Sequence, residues 1–129
     1  MGYRSTVALC LTEKGYDSII EALGYEEEKR QKEVEDLFNT ADERYLHTPT
    51  NHRLFVWKGI KWYEYYSDIN FVINEIRELD YEDYRFVRIG EDSDDVEVSG
   101  FFTENPFNFD ITINIKINAD NSNTLIYLC

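Results

Sequence analysis

The sequence predicts an α+β fold, an antiparallel twisted sheet of about five to six strands with two to three helices packed on one face. Three observations predict it. Apolar residues recur at every second position near both ends of the chain, the period of a strand with one buried face. Tyr16, Ile19, Ile20 and Leu23 recur at three- and four-residue spacing, as do Ile69, Val72, Ile73, Ile76 and Leu79, and this is the period of an amphipathic helix. The order is strand, helices, strands, helix, then a run of strands, which is not the regular alternation of a parallel sheet. No repeat, linker or low-complexity segment divides residues 1–129, so one globular domain is expected.

The elements follow in chain order. Tyr3 to Leu11 alternates, with Tyr3, Ser5, Val7, Leu9 and Leu11 on one face and Arg4, Thr6, Ala8 and Cys10 on the other. Thr12 caps the first helix and Gly24 suits its stop. Glu26 to Phe38 reads as a solvated helix held by Val34, Leu37 and Phe38, or as a continuation of the first helix past a kink. Asn39 to His52 is polar and irregular, with Pro49, and reads as a loop. Arg53 to Trp57 is a strand, Lys58-Gly59 a turn or bulge, and Ile60 to Tyr66 resumes in extended form. Ser67-Asp68 opens the second clear helix. Tyr84 to Ile89 and Val96 to Phe101 are strands on either side of the acidic turn Glu91-Asp92-Ser93-Asp94-Asp95. After Pro106, Phe107 to Ala119 alternates without error and reads as one long strand with a core face and a water face. Asp120 to Asn123 turns into the last strand, Thr124 to Leu128.

Composition narrows the function. The 129 residues hold 13 Lys+Arg against 26 Asp+Glu, a formal charge of −13. Ten Tyr, eight Phe and two Trp are enough to build a core, which excludes a disordered acidic tail. No apolar run approaches the ~20 residues that span a bilayer, so no membrane partner is expected. Direct binding to nucleic acid needs a cationic surface and is disfavoured. The N-terminus has no secretory h-region. Gly2 and Thr6 match the loose N-myristoylation pattern, but the strand reading of Tyr3–Leu11 and the lack of a basic patch argue against it. Cys10 reads as a small core residue and Cys129 as a terminal thiol, and they can pair only if the first and last strands are neighbours. A cytoplasmic protein is expected.

No catalytic or cofactor motif stands out: GxSxG, P-loop and GxGxxG patterns are all missing, and no cofactor is expected. Counted from Asp92, the acidic turn places Glu97 where an EF-hand needs Gly and Thr103 where it needs Glu, leaving at most a weak Mg²⁺ or Ca²⁺ site. His47 and His52 lack metal-ligand spacing on a helix and read as loop histidines. The segment Trp57 to Tyr66 is strongly aromatic; half its rings belong in a core, and the exposed half suits a protein interface. Carboxylates cluster at 26–36, at 80–83 and at 91–97, and a single acidic face of this kind would imitate a polyphosphate backbone toward a basic partner.

Three stretches carry a resemblance: Met1 to Ala8, Ile60 to Glu64, and Tyr84 to Asp92. Together they resemble small acidic proteins of unassigned activity encoded by bacteriophages and prophages. The resemblance implies a viral accessory protein acting in the cytoplasm of a bacterial host. The function expected is therefore non-enzymatic: binding and inhibiting a basic host or anti-phage defence protein, in the manner of anti-CRISPR proteins. Partner-binding residues would be Trp57, Trp62, Tyr63 and Tyr65 as anchors, with Glu91, Asp92, Asp94 and Asp95 supplying charge. An alternative is a nucleotide-like ligand held by Arg85, Arg88, His47 and His52, although internal ion pairing suits the two arginines better. A third is a structural homo-oligomer joined through the free edge of the Phe107–Ile117 strand.

Overall fold

The computed structural model describes residues 2–92 and 94–100, together with the backbone of three short strands at 109–111, 115–117 and 125–127. The elements run β1 (Ser5–Leu11), α1 (Glu13–Leu23), α2 (Glu28–Asn39), β2 (Glu43–His47), β3 (His52–Ile60), α3 (Ser67–Glu78), a 3-10 turn (Tyr81–Asp83), β4 (Tyr84–Ile89), β5 (Val96–Ser99), β6 (Phe109–Ile111), β7 (Ile115–Ile117) and β8 (Leu125–Tyr127). The main sheet has the order β5-β4-β1-β3-β2-β8, and every pairing in it is antiparallel. This is the α+β architecture the periodicities predict.

All three helices pack on one face of the sheet. Val7, Leu9 and Leu11 of β1, Phe55 and Trp57 of β3, and Tyr84 and Phe86 of β4 meet Ile19, Val34, Phe38, Ile69, Val72 and Ile76 in one core. Each large side chain so buried contributes about 1.5–3 kcal/mol. The helix starts are fixed locally. The Thr12 hydroxyl accepts from the Gly15 amide at 3.0 Å, while the Thr12 amide donates to the Asp83 carbonyl at 3.0 Å, so the cap of α1 is tied to the entry of β4. Arg30 joins α2 to α3 through the Asn70 side chain at 3.1 Å.

Four sequence expectations are corrected. β1 is apolar on both faces: Ala8, Cys10, Leu54, Val56 and Val87 stand opposite the helices and are at most 1% exposed. Residues 43–47 form β2 and not loop, because backbone pairing with β3 extends the sheet although the side chains are only half-buried. Residues 61–66 leave the sheet as an irregular segment and turn, instead of continuing as strand. The long strand at Phe107–Ala119 is instead a hairpin of β6 and β7, with Phe109 opposite Ile117 and Ile111 opposite Ile115. Directly opposed residues share a face, so strict alternation passes through the reversal unbroken. Residues 107, 108, 112–114, 118 and 119 lie outside the described residues, as does Cys129. The first and last strands are not neighbours, since β3 and β2 stand between β1 and β8.

Gly59 makes the expected bulge. Its φ of 69° is in the left-handed region, and the β1–β3 register slips between Ser5 and Val7 opposite it. The topology then gathers three segments at one end of the sheet. Ser5 pairs with Ile60 and Thr6 with Ile89, so the chain before β1, the chain after β3 and the turn after β4 emerge together.

Candidate functional site

Tyr3 joins these three segments. Its amide donates to the Tyr63 hydroxyl at 2.7 Å, its own hydroxyl donates to Asp95 Oδ2 at 2.6 Å, and that hydroxyl accepts from the Asp92 amide at 3.2 Å. The next amide, of Arg4, donates to the Glu91 carboxylate at 2.5 Å, and the Arg4 guanidinium reaches the Gly59 carbonyl at 2.9 Å. The aromatic segment and the acidic turn, 25 or more positions apart in the chain, therefore form one surface.

The aromatic half of that surface is graded. Trp57 is 2% exposed and its indole N–H donates to the Leu37 carbonyl at 2.9 Å, so it is a core residue and not an anchor. This corrects the sequence expectation, and the reason is strand alternation, which turns Trp57 toward the helices beside Phe55. Trp62 is half-buried, with its ring 5.6 Å from that of Trp57 and 5.9 Å from that of Phe86. Tyr63, Tyr65 and Tyr66 form a separate cluster with centroids 5.1–5.5 Å apart, and Tyr65 is 80% exposed.

The acidic half is partly neutralised. Arg88, on the helix face of β4, donates to both Asp95 oxygens at 2.7 and 3.1 Å, to Glu97 at 2.5 Å and to the Ser5 hydroxyl at 3.0 Å. The Arg88 and Tyr3 hydrogen bonds hold the Asp95 carboxyl below its ordinary value. The Asp92 amide draws the Tyr3 phenol down, but the Asp95 and Asp92 carboxylates outweigh it and hold the phenol above its ordinary value. Glu91, Asp92 and Asp94 stay exposed at the turn. Elsewhere Glu26, Glu43, Glu64 and Asp80 each meet a Lys or Arg. Exposed acids remain elsewhere too, Glu27 just before α2 and Glu28, Glu35 and Asp36 on it among them, and the Tyr3-bridged surface itself carries those of one short turn.

The residues proposed for a nucleotide are not gathered. Arg85 and Arg88 point to opposite faces of β4, and Arg85 donates to the Gly100 carbonyl at 3.0 Å. His47 and His52 oppose each other at the far end of the sheet, beyond the Leu11–Arg53 pair. Among the described residues no group of three or more His, Cys, Asp or Glu side chains gathers for a metal, and no helix is long and apolar enough to cross a membrane.

Sequence reasoning missed Tyr3, whose alternation marked it only as strand. It also missed a groove of about 750 Å³ between α3 and the β4–β5 edge, floored by Trp62, Ile73, Ile76 and Phe86. The helical spacing of Ile73 and Ile76 signalled a core face but not that the sheet edge leaves part of it open. Comparison with protein-family models, with curated proteins and with solved structures finds no match to this chain.

Proposed function

We propose that the protein is a non-enzymatic accessory factor of the phage type, which binds and inhibits a basic host or anti-phage defence protein. The observation that carries the reading is the Tyr3 bridge, which holds exposed Tyr65 and the exposed carboxylates of Glu91, Asp92 and Asp94 on one surface. Exposed tyrosine suits an interface anchor, because it brings large contact area with few rotatable bonds. Carboxylates beside it raise the encounter rate with a cationic partner. On this surface, imitation of a polyphosphate draws first on those three acids, since Asp95 and Glu97 share the single Arg88 guanidinium.

The test is capture from a bacterial lysate by the wild-type protein and by a variant combining Tyr65→Ala, Glu91→Gln and Asp94→Asn. A basic protein retained by the first and lost by the second supports the reading. Equal retention by both, or retention of neutral proteins alone, overturns it.

A further inference from the structure

β5 is the last strand on its side of the main sheet as described. Among the described residues no strand pairs beyond it, and Val96 and Val98 are 40% and 44% exposed. Register decides which of its backbone groups point outward. The Gly90 amide donates to the Asp95 carbonyl at 2.8 Å, which marks that pair as hydrogen-bonded. Bonded pairs recur every second residue in an antiparallel ladder, so Arg88–Glu97 and Phe86–Ser99 are bonded pairs also. Val96 and Val98 then direct their backbone groups away from β4. The Val96 amide is taken by the Asp94 carbonyl at 3.2 Å. The Val96 carbonyl and both Val98 groups face outward.

This edge borders the groove. Side chains of Glu97 and Ser99 share the helix face with Phe86 and Arg88, while Val96 and Val98 share the other face. Glu64 and Glu97 stand at the groove with side chains 58% and 61% exposed; Glu64 meets Arg77 at 3.5 Å, and Glu97 shares Arg88 with Asp95, so the three acids outnumber the two guanidinium groups there. A strand laid beside β5 would alternate its side chains between these two settings.

We propose that β5 accepts an extended segment of a basic protein partner, in which arginine or lysine alternates with an apolar residue. The apolar side chains pack beside Val96 and Val98. The basic ones lay their hydrocarbon stems over Trp62, Ile76 and Phe86 and bring their charge to Glu64 and Glu97. Main-chain bonds to Val96 and Val98 fix the segment's register. The inference rests on the reading that the partner is basic.

The probe is a capped octapeptide alternating arginine with valine, titrated into the whole protein. The expected result is shifts in the amide resonances of residues 96–99, a change in Trp62 fluorescence and slowed exchange of the Val98 amide. Val98→Pro removes an outward N–H without touching the β4 ladder, a place where an edge strand tolerates proline, and should weaken binding by about tenfold. The same peptide N-methylated at alternate amides should not bind, which tests the idea without altering the protein. Equal binding of the methylated peptide, or shifts confined to residues away from β5 and the groove, overturns the proposal. If the octapeptide fails while the combined Tyr65→Ala, Glu91→Gln and Asp94→Asn variant still loses lysate capture, the edge inference falls and the partner-binding reading stands.

Discussion

The Tyr3 hydroxyl donates to Asp95 at 2.6 Å across 92 positions of sequence, and the same tyrosine holds Tyr63 through its backbone amide. One residue at the end of the sheet, just before the interior strand β1, therefore sets the distance between an aromatic cluster and an acidic turn. Tyr3→Phe keeps the ring and removes the hydroxyl. The melting temperature should move by about 2 °C or less, because the site is exposed. The Asp92 amide should exchange faster, and partner capture should weaken. Unchanged exchange at Asp92 would show that the phenol does not hold the turn.

Gly90 lies beneath that contact. A Cβ there would collide with the Asp95 carboxylate and the Tyr3 hydroxyl. Gly90→Ala should part Tyr3 from Asp95 at little cost in stability, because the groups that must give way are side-chain ends. The Tyr3 ring resonances and the Asp92 amide exchange rate report the separation.

Arg88 is the charge anchor of the turn, with its side chain 12% exposed. Arg88→Met should lower the melting temperature by about 5 °C, since two carboxylates and Ser5 lose a charged donor together. It should also change the acid limb. The Asp95 carboxyl is held below its ordinary value by Arg88 and then by Tyr3. Its contribution to stability is complete above the ordinary aspartate range and is lost as pH falls through that range toward the depressed value. Wild type should thus lose stability more steeply below about pH 4 than Arg88→Met, as read by thermal melts across pH.

Trp57 and Tyr65 stand eight positions apart and should behave oppositely. Trp57→Ala should cost about 3–5 kcal/mol in denaturant unfolding, through the cavity left among Phe38, Phe55 and Trp62. Tyr65→Ala should stay within about 0.5 kcal/mol of wild type, because the ring is exposed. Its effect should fall on capture alone.

Periodicity in the sequence revealed most of the fold. Val7, Leu9 and Leu11 announce a strand face, and Ile69, Val72 and Ile76 announce a helix face, because side-chain direction follows backbone period directly. β2 was hidden because its partner supplies the stabilising contacts: Glu43 to His47 pair through the backbone and bury no residue fully. The β6–β7 reversal was hidden because a hairpin keeps its partners in phase. Aromatic anchors and acids were legible as separate groups at 57–66 and 91–97. Their junction was not, because it depends on Tyr3, and no pattern in the residues around Tyr3 encodes a contact with Asp95. Arg88 was legible as an internal ion-pair partner, since its neighbours in chain and register are Asp95 and Glu97.

The central claim is that the Tyr3-bridged surface holds a basic partner by one exposed ring and three carboxylates. Its most direct test is the affinity of the captured partner for wild type and for Tyr65→Ala, measured as ionic strength rises from about 0.05 to 0.5 M. The account predicts affinity that falls steadily with salt for both proteins, with Tyr65→Ala weaker by about tenfold at every concentration. Affinity that ignores salt, or that is the same for the two proteins, would contradict it.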